Sequence, residues 1–284
     1  MLKNTFQHIP GIGRKTEEKI WAAGLRDWQA VAAFSNGPLP RKTMAALQVY
    51  CPQSQVQLDR GNPVYFENLL TAALGWRFFP EFRNRTAYLD IETDGLDSYY
   101  GHITTIALYD GRNIFWYING RNLETFAEDI QKYQVLVTYN GKTFDIPFIQ
   151  SYLRIKLPQA HIDLRYILAS LGYKGGLKRC ERALGIGRTD LDGIDGAFAP
   201  LLWQEYQIRN DRATLETLLA YNIADVVNLE TLMVKAYNLK LATTPFAQTN
   251  RLEPPRTPKV PFKPDREVVA KIRSRALSMD PYNY

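Results

Sequence analysis

Residues 86–96, TAYLDIETDGL, decide how this chain is read. Ala87, Leu89 and Ile91 alternate with Tyr88, Asp90 and Glu92. A period of two is that of a β-strand, so Asp90 and Glu92 fall on one face, side by side and near the strand's C-terminal end. Two carboxylates held that close repel, and the repulsion calls for a cation. The cation can be a protein side chain at a solvated strand end before the Asp94–Gly95 turn, or a bound metal ion.

Composition narrows the class. With 284 residues, 45% hydrophobic and 23% charged, the chain can bury one sizeable core and a smaller unit. It has no uninterrupted apolar run of ~18 residues, so a membrane-spanning helix is not expected. MLKNTFQHIPGIG at the start lacks the apolar centre of a secretory signal. Cys51 and Cys180 lie far apart and outside any metal-ligand spacing, which fits two reduced thiols in a cytoplasmic protein. His8, His102 and His161 share no ligand spacing either, so no zinc site is expected. The net charge of +6 is unevenly spread. Residues 1–50 carry seven Lys/Arg against three Asp/Glu, residues 241–284 carry eight against four, and the centre is net −2. Basic ends around a mildly acidic centre suit a protein that meets a polyanion.

Four segments follow from the pattern: a helical module at 1–55, a linker helix within 56–83, an α/β domain at 84–240 and a Pro-rich basic tail at 241–284. In the first, Gly11-Ile12-Gly13 makes a turn before an amphipathic helix that places Ile20 and Ala23 opposite Lys15, Glu18 and Lys19. Gly24 is placed to end this helix and Asp27 to open the next. Backbone N–H groups beside Ile12 would face a phosphate at the helix N-terminus. The segment resembles a helix-hairpin-helix motif, which binds nucleic-acid backbone without reading sequence. The resemblance makes Gly11, Gly13 and Lys15 candidate backbone contacts; an ordinary helical turn accounts for the same residues. A helix near 41–50 and a polar stretch over 51–63 precede the linker helix, whose apolar face is Phe66, Leu69, Leu70, Ala73 and Leu74.

In the α/β domain, strands are expected at 86–92, 103–109 and 113–118, the last two joined by the tight turn DGRN. A helix over 122–132, with Asn122 as its cap, precedes a buried strand VLVTYN and a helix over 145–153. After the short strand HIDL the chain reads as helices over 164–171, 176–184, 197–207 and 212–239. This order predicts a mixed sheet with helices on both faces. Seven of the 16 prolines lie beyond residue 240, a composition that favours extended, solvated chain before a short basic helix in DREVVAKIRSRAL.

Two further acidic positions stand with Asp90 and Glu92. Asp145 follows the buried strand, a Tyr-Asn-Gly turn and Phe144; capping the next helix would be its ordinary role. Asp225 lies four residues after Tyr221, on one helix face beside the packed Leu218, Leu219, Val226 and Leu229. Asp90-x-Glu92, Asn140-x-x-x-Phe144-Asp145 and Tyr221-x-x-x-Asp225, in that order, resemble the three motifs of the DEDDy 3′–5′ exonucleases. Their fold is ribonuclease H-like, and YNGKTFDIPF is similar to the family-B polymerase version of the middle motif. Across 84–240, GGLKRCERALGI and YNIADVVNLETL resemble segments of the YprB-like ribonuclease H-like domain family. Ala220 stands where histidine-type relatives have His, and Tyr221 fills the tyrosine position.

The resemblance implies an α/β ribonuclease H-like fold and hydrolysis of phosphodiesters at a single-stranded 3′ end of DNA or RNA. It implies two divalent cations, Mg²⁺ or Mn²⁺, about 3.5–4 Å apart. Asp90 would bridge both, Glu92 and Asp225 would complete one, Asp145 would hold the other, and Tyr221 would orient the attacking water. Hard cations take oxygen ligands, so carboxylates are the right donors. Thr93, Gly95 and Leu96 resemble the stretch that receives the terminal nucleotide and equally suit a strand-end turn. Asn140 and Phe144 are further candidate substrate contacts, with a turn role open for Asn140. Asp163 reads as a cap in preference to a ligand, and YKGGLK, which lacks the full phosphate-loop spacing, as a helix start. Two other readings stay open: internal cleavage by the same ions, and nucleic-acid binding without catalysis.

Overall fold

The computed structural model describes residues 1–34, 39–95, 101–187 and 198–278. Five strands form one sheet: β1 (Thr86–Thr93), β2 (Ile103–Tyr109), β3 (Ile114–Ile118), β4 (Val135–Thr138) and β5 (Ala160–Asp163), in the order β3-β2-β1-β4-β5. β1–β2 and β2–β3 are antiparallel, whereas β1–β4 and β4–β5 are parallel. The β2–β3 hairpin closes as its turn residues dictate: Asp110 accepts from the N–H groups of Arg112 and Asn113, and Gly111 sits at φ +86°.

Alternation along β1 sorts two cores. Ala87, Leu89 and Ile91 face a layer that includes Phe126, Ile130, Phe148 and Ile149. Tyr88 faces the opposite layer, which contains Leu218, Ile223, Val226 and Leu229 of the long last helix of the sheet domain. Asp90 and Glu92 share the side of Tyr88 and look toward that helix.

The helices begin with α1 (Arg14–Ala22), α2 (Trp28–Ala32), α3 (Arg41–Asp59), α4 (Pro63–Leu69) and α5 (Phe79–Phe82). Within the sheet domain come α6 (Phe126–Asp129), α7 (Asp145–Leu153), α8 (Leu164–Ala169), α9 (Leu177–Ala183), α10 (Phe198–Arg209) and α11 (Arg212–Leu241), followed by α12 (Arg266–Ser278). Asp27 caps α2 as expected, its carboxylate accepting from Ala30 N–H at 2.8 Å. Among the described residues no helix is long and apolar enough to cross a membrane.

Three expectations are corrected. The polar stretch at 51–63 is helical as far as Asp59, because Leu47, Cys51, Ser54 and Leu58 recur at helical spacing on the packed side and hold the helix through Pro52. The helix expected over 122–132 is broken into short turns. Asn122 does not cap it; its side chain reaches back to β3, accepting from Ile118 N–H at 2.8 Å and donating to Trp116 O at 3.0 Å. The Pro-rich tail is largely exposed, as expected, but it docks on the fold through a few side chains. Phe246 meets Trp21 edge-on at 5.4 Å, Phe262 meets Trp116 at 5.0 Å, and Asn238 brackets Leu252 with two hydrogen bonds. Missing proline N–H groups prevent a ladder, yet they do not prevent apolar side chains from docking.

The N-terminal helices are fastened through a buried charge. Glu17 on α1 is fully buried, and its carboxylate accepts from Thr5 Oγ1, Phe6 N–H and Gln7 Nε2 and forms a two-nitrogen pair with Arg77 at 2.8 and 3.1 Å. Removing one partner leaves the other charge buried and uncompensated, so Glu17→Ala should cost about 3–5 kcal/mol of stability. Urea unfolding of Glu17→Ala, Arg77→Met and the double variant checks this; the double variant should lose less than the sum of the two.

Candidate active site

The site is assembled where β1 ends against α11. One carboxylate oxygen each from Asp90, Glu92 and Asp225 lies within 4.8 Å of the others. Two come from alternate positions of one strand, and the third from a helix whose apolar face packs on the same side of the sheet. Glu92 and Asp225 are buried. Burial, and then the charges of Asp225, Glu92 and Asp145, push the Asp90 carboxyl well above the usual carboxylate range, with Lys178 acting in the opposite direction.

Asp145 enters from the neighbouring strand's connection. β4 pairs with β1 only as far as Tyr88–Val137, so the N–H of Ile91 lies beyond the parallel ladder. Asp145 Oδ1 accepts that N–H at 3.2 Å. Asp145 is therefore the first residue of α7 rather than its cap, and Phe144 occupies the cap position. Burial pushes the Asp145 carboxyl up to about 7, against its own and Ile91's backbone N–H groups, which pull it down; Asp163 and Asp225 add to the rise.

The turn before Asp145 is braced by Asp163. Asp163 caps α8 through Arg165 N–H at 3.0 Å and also accepts from Asn140 N–H at 2.8 Å and Lys142 N–H at 3.1 Å. Asn140 adopts φ +68°, and its side-chain oxygen accepts from Thr143 Oγ1 and from Arg165. Gly141 is demanded by packing, since a Cβ there would lie 2.3 Å from Thr138 Oγ1. Phe144 turns toward Phe148, ring centroids 5.7 Å apart. Thr93 follows a β-bulge and donates to Gly95 O at 2.7 Å. Leu96 lies outside the described residues.

Tyr221 is one turn before Asp225 on α11 and is buried, packed with Phe198, Ala224 and Val269. The structure thus brings Asp90, Glu92, Asp145, Tyr221 and Asp225 to one end of the sheet. Gly11, Gly13 and Lys15 lie elsewhere, at the start of α1. There Gly11 takes φ +83°, Ile12 is buried, and Gln7–Gly13 with Asn68 and Leu69 line a cavity of about 460 Å³. A 3₁₀ turn, Leu2–Asn4, lies before that loop.

Two residues escaped the sequence reading. Asn222, fully buried, donates from Nδ2 to Asp90 Oδ2 at 2.7 Å and accepts at Oδ1 from Thr105 Oγ1 at 3.1 Å. This fixes which Asp90 oxygen is engaged by the protein. Its signal was a buried amide three residues before Asp225, on the same helix face. Lys178 on α9 pairs with Asp225 and places its ammonium 4.4 Å from the Tyr221 ring centroid. The YKGGLK stretch does start a helix, and its last lysine reaches the acidic cluster.

The donor set fits hard divalent cations. Every candidate ligand atom is a carboxylate oxygen, and burial with the acidic neighbours of Asp90 disfavours its charge, which a hard cation would relieve. Proton linkage gives a test of that repulsion. Asp145 binds its proton more tightly in the folded chain than in the unfolded one, so metal-free stability should fall as pH rises from about 4 through about 7. His8 and His161 are held near 3 by burial, aided by Arg77 and Lys142 respectively; they give the opposite slope below about 6.5. The comparison is therefore between proteins. In EDTA, the stability gain of Asp145→Asn over wild type should grow between pH 5 and pH 8 in thermal unfolding.

The family comparison agrees with this topology. The RNase_H superfamily profile matches residues 87–237. Similar solved structures include the family B DNA polymerase from the hyperthermophilic archaeon Pyrobaculum calidifontis, at 19% identity and a TM-score of 0.41. That match covers 55% of this chain and 24% of the polymerase, so the chain spans about a quarter of the polymerase's length. Brucella melitensis NrnC is similar at 16% identity and a TM-score of 0.39 when bound to pGG, covering 58% of this chain and 76% of NrnC. NrnC with bound Mg²⁺ gives 17% identity and the same score. No curated protein matches the chain. With more than half of its length matched, sheet order β3-β2-β1-β4-β5 and helices on both faces, the chain belongs to the RNase_H superfamily.

Proposed function

We propose that this protein is a divalent-metal-dependent 3′–5′ exonuclease of the DEDDy type, acting on single-stranded DNA or RNA. The observation that carries the reading is the convergence of Asp90, Glu92 and Asp225 within 4.8 Å, with Asp90 pushed above its ordinary range by burial and then by its acidic neighbours. A cluster that disfavours its own charge, in a chain whose ends are basic, is built for cations and a polyanion.

Asp90, Glu92 and Asp225 would hold one cation, and Asp90 with Asp145 a second. Bound there, divalent ions stabilise charge on the attacking and leaving oxygens of an in-line displacement at phosphorus. Asn222 keeps Asp90 oriented, and Ile91 N–H keeps Asp145 oriented, so neither carboxylate must reorganise when substrate arrives. Tyr221 would orient the water, because a phenolic hydroxyl both donates and accepts hydrogen bonds. Thr93, Gly95, Leu96, Asn140 and Phe144 would line the terminal nucleotide's path. The 1–55 module would hold the backbone at Gly11, Gly13 and Lys15, and the basic end of the 241–284 segment would lie near the strand.

Strands labelled at the 5′ or 3′ end, as DNA and as RNA, incubated with Mg²⁺, Mn²⁺ or EDTA, test the reading. A metal-dependent ladder from the 5′ label, lost in Asp90→Asn, is the expected result. A discrete internal product would assign an endonuclease instead. Intact binding without cleavage under either metal would assign a binding protein on a nuclease fold.

Lys178 competes with metal for Asp225. Lys178→Met should therefore tighten Mn²⁺ binding about tenfold, because a positive charge beside the ligand is removed. Calorimetric titration of the two metal-free proteins measures this.

A further inference from the structure

We propose that the C-terminal helix α12 forms a wall of the catalytic pocket, with Val269 as the positioning residue that holds the Tyr221 ring. This rests on the exonuclease reading of Tyr221. α12 lies beyond residue 237, outside the segment matched by the superfamily.

The ring of Tyr221 is held from several directions. Ala224 comes from its own helix, Phe198 from the first position of α10, Val269 from α12, and the Lys178 ammonium from α9 stands over the ring. α9, α10 and α12 meet α11 at one phenol. A tyrosine has two side-chain torsions, and its hydroxyl sweeps a wide arc unless both ring faces are covered. Deleting one covering group frees that arc.

α12 is itself fixed in place at both ends. Asp265 caps it through the N–H groups of Glu267 and Val268, while its own N–H donates to Thr217 Oγ1 on α11 at 3.0 Å. Ile272 is fully buried against the main core. Glu205 on α10 receives Lys271 and, at 3.5 Å, Arg275; Gln204 receives Arg275 at 2.8 Å. Upstream, the strap from 246 to 264 fastens in turn to Trp21, Asn4, Tyr237, Asn238 and Trp116. The Phe262–Trp116 contact supplies a control, because Phe262 is not among the groups packed on the Tyr221 ring and weakening it loosens the tail without deleting one of them.

The experiment compares full-length wild type, Val269→Ala, Val269→Ile and Phe262→Ala, with steady-state cleavage of a 5′-labelled single strand and thermal unfolding of each. Val269→Ala should lower kcat about tenfold at unchanged KM, since sub-ångström misplacement of an orienting group costs rate rather than binding. Val269→Ile should keep wild-type kcat, and Phe262→Ala should lower the Tm without lowering kcat below its melting range. A Val269→Ala kcat within twofold of wild type overturns the proposal. So does a loss of kcat in Phe262→Ala equal to that in Val269→Ala, which would make α12 merely a brace.

Nitration of Tyr221 by tetranitromethane, mapped by peptide mass, separates this inference from the exonuclease reading. If wild type cleaves nothing, the exonuclease reading fails, and the ring-holding role is judged by nitration alone. Protection in wild type and Val269→Ile with reaction in Val269→Ala supports it. Equal protection in all of these proteins overturns it.

Discussion

Mutual repulsion among carboxylates at the end of β1 is the constraint around which the structure is arranged. A β-strand of period two cannot separate Asp90 from Glu92, and α11 brings Asp225 onto the same patch. Left alone, such a cluster would splay or take up protons. The fold opposes splaying by bracing three of them separately: Asn222 on Asp90, Ile91 N–H on Asp145, Lys178 on Asp225. What remains is mutual repulsion held in a fixed shape, and fixed shape is what makes that repulsion useful to a cation.

The elements that carry the cluster were legible because their signals are local. β1 announces itself by alternation, the β2–β3 hairpin by Asp110-Gly111, and α11 by a long apolar face around Tyr221 and Asp225. The braces were less legible because they are pairings across the fold. Asn222 is separated by 132 residues from the aspartate it orients, and Lys178 by 47 from the one it pairs with. Neither partner leaves a mark on the other's local sequence. The same limit explains α3 and the tail. The polar composition of 51–63 hid a helix that Leu47, Cys51 and Ser54 hold by packing, and the prolines beyond 240 gave no sign that Phe246, Leu252 and Phe262 would dock.

Those contacts bind the chain's two ends to its centre. Glu17 and Arg77 attach α1 to the segment before β1, and Arg83 pairs with Glu230 at 2.8 Å to attach that segment to α11. From α11 the strap returns past Trp21 and Asn4 before α12 reaches Tyr221. The N-terminal helices, α11 and the tail thus share packing, which fixes their relative positions more firmly than a flexible linker would.

The choice of lysine against Asp225 follows from the same physics. An arginine in that place would grip the carboxylate through two nitrogens and hold it against a divalent ion. An ammonium is a single point charge on a flexible stem, strongly hydrated and easily withdrawn. On the proposed reading, Lys178 would compensate Asp225 while the pocket lacks a cation and yield the carboxylate when one arrives. Its second contact, over the Tyr221 ring, keeps it beside the pocket rather than lost to solvent. A side chain that must neutralise in one state and stand aside in the next has to bind its partner well but not too well, and lysine on a neighbouring helix meets that requirement where a bidentate cation would not.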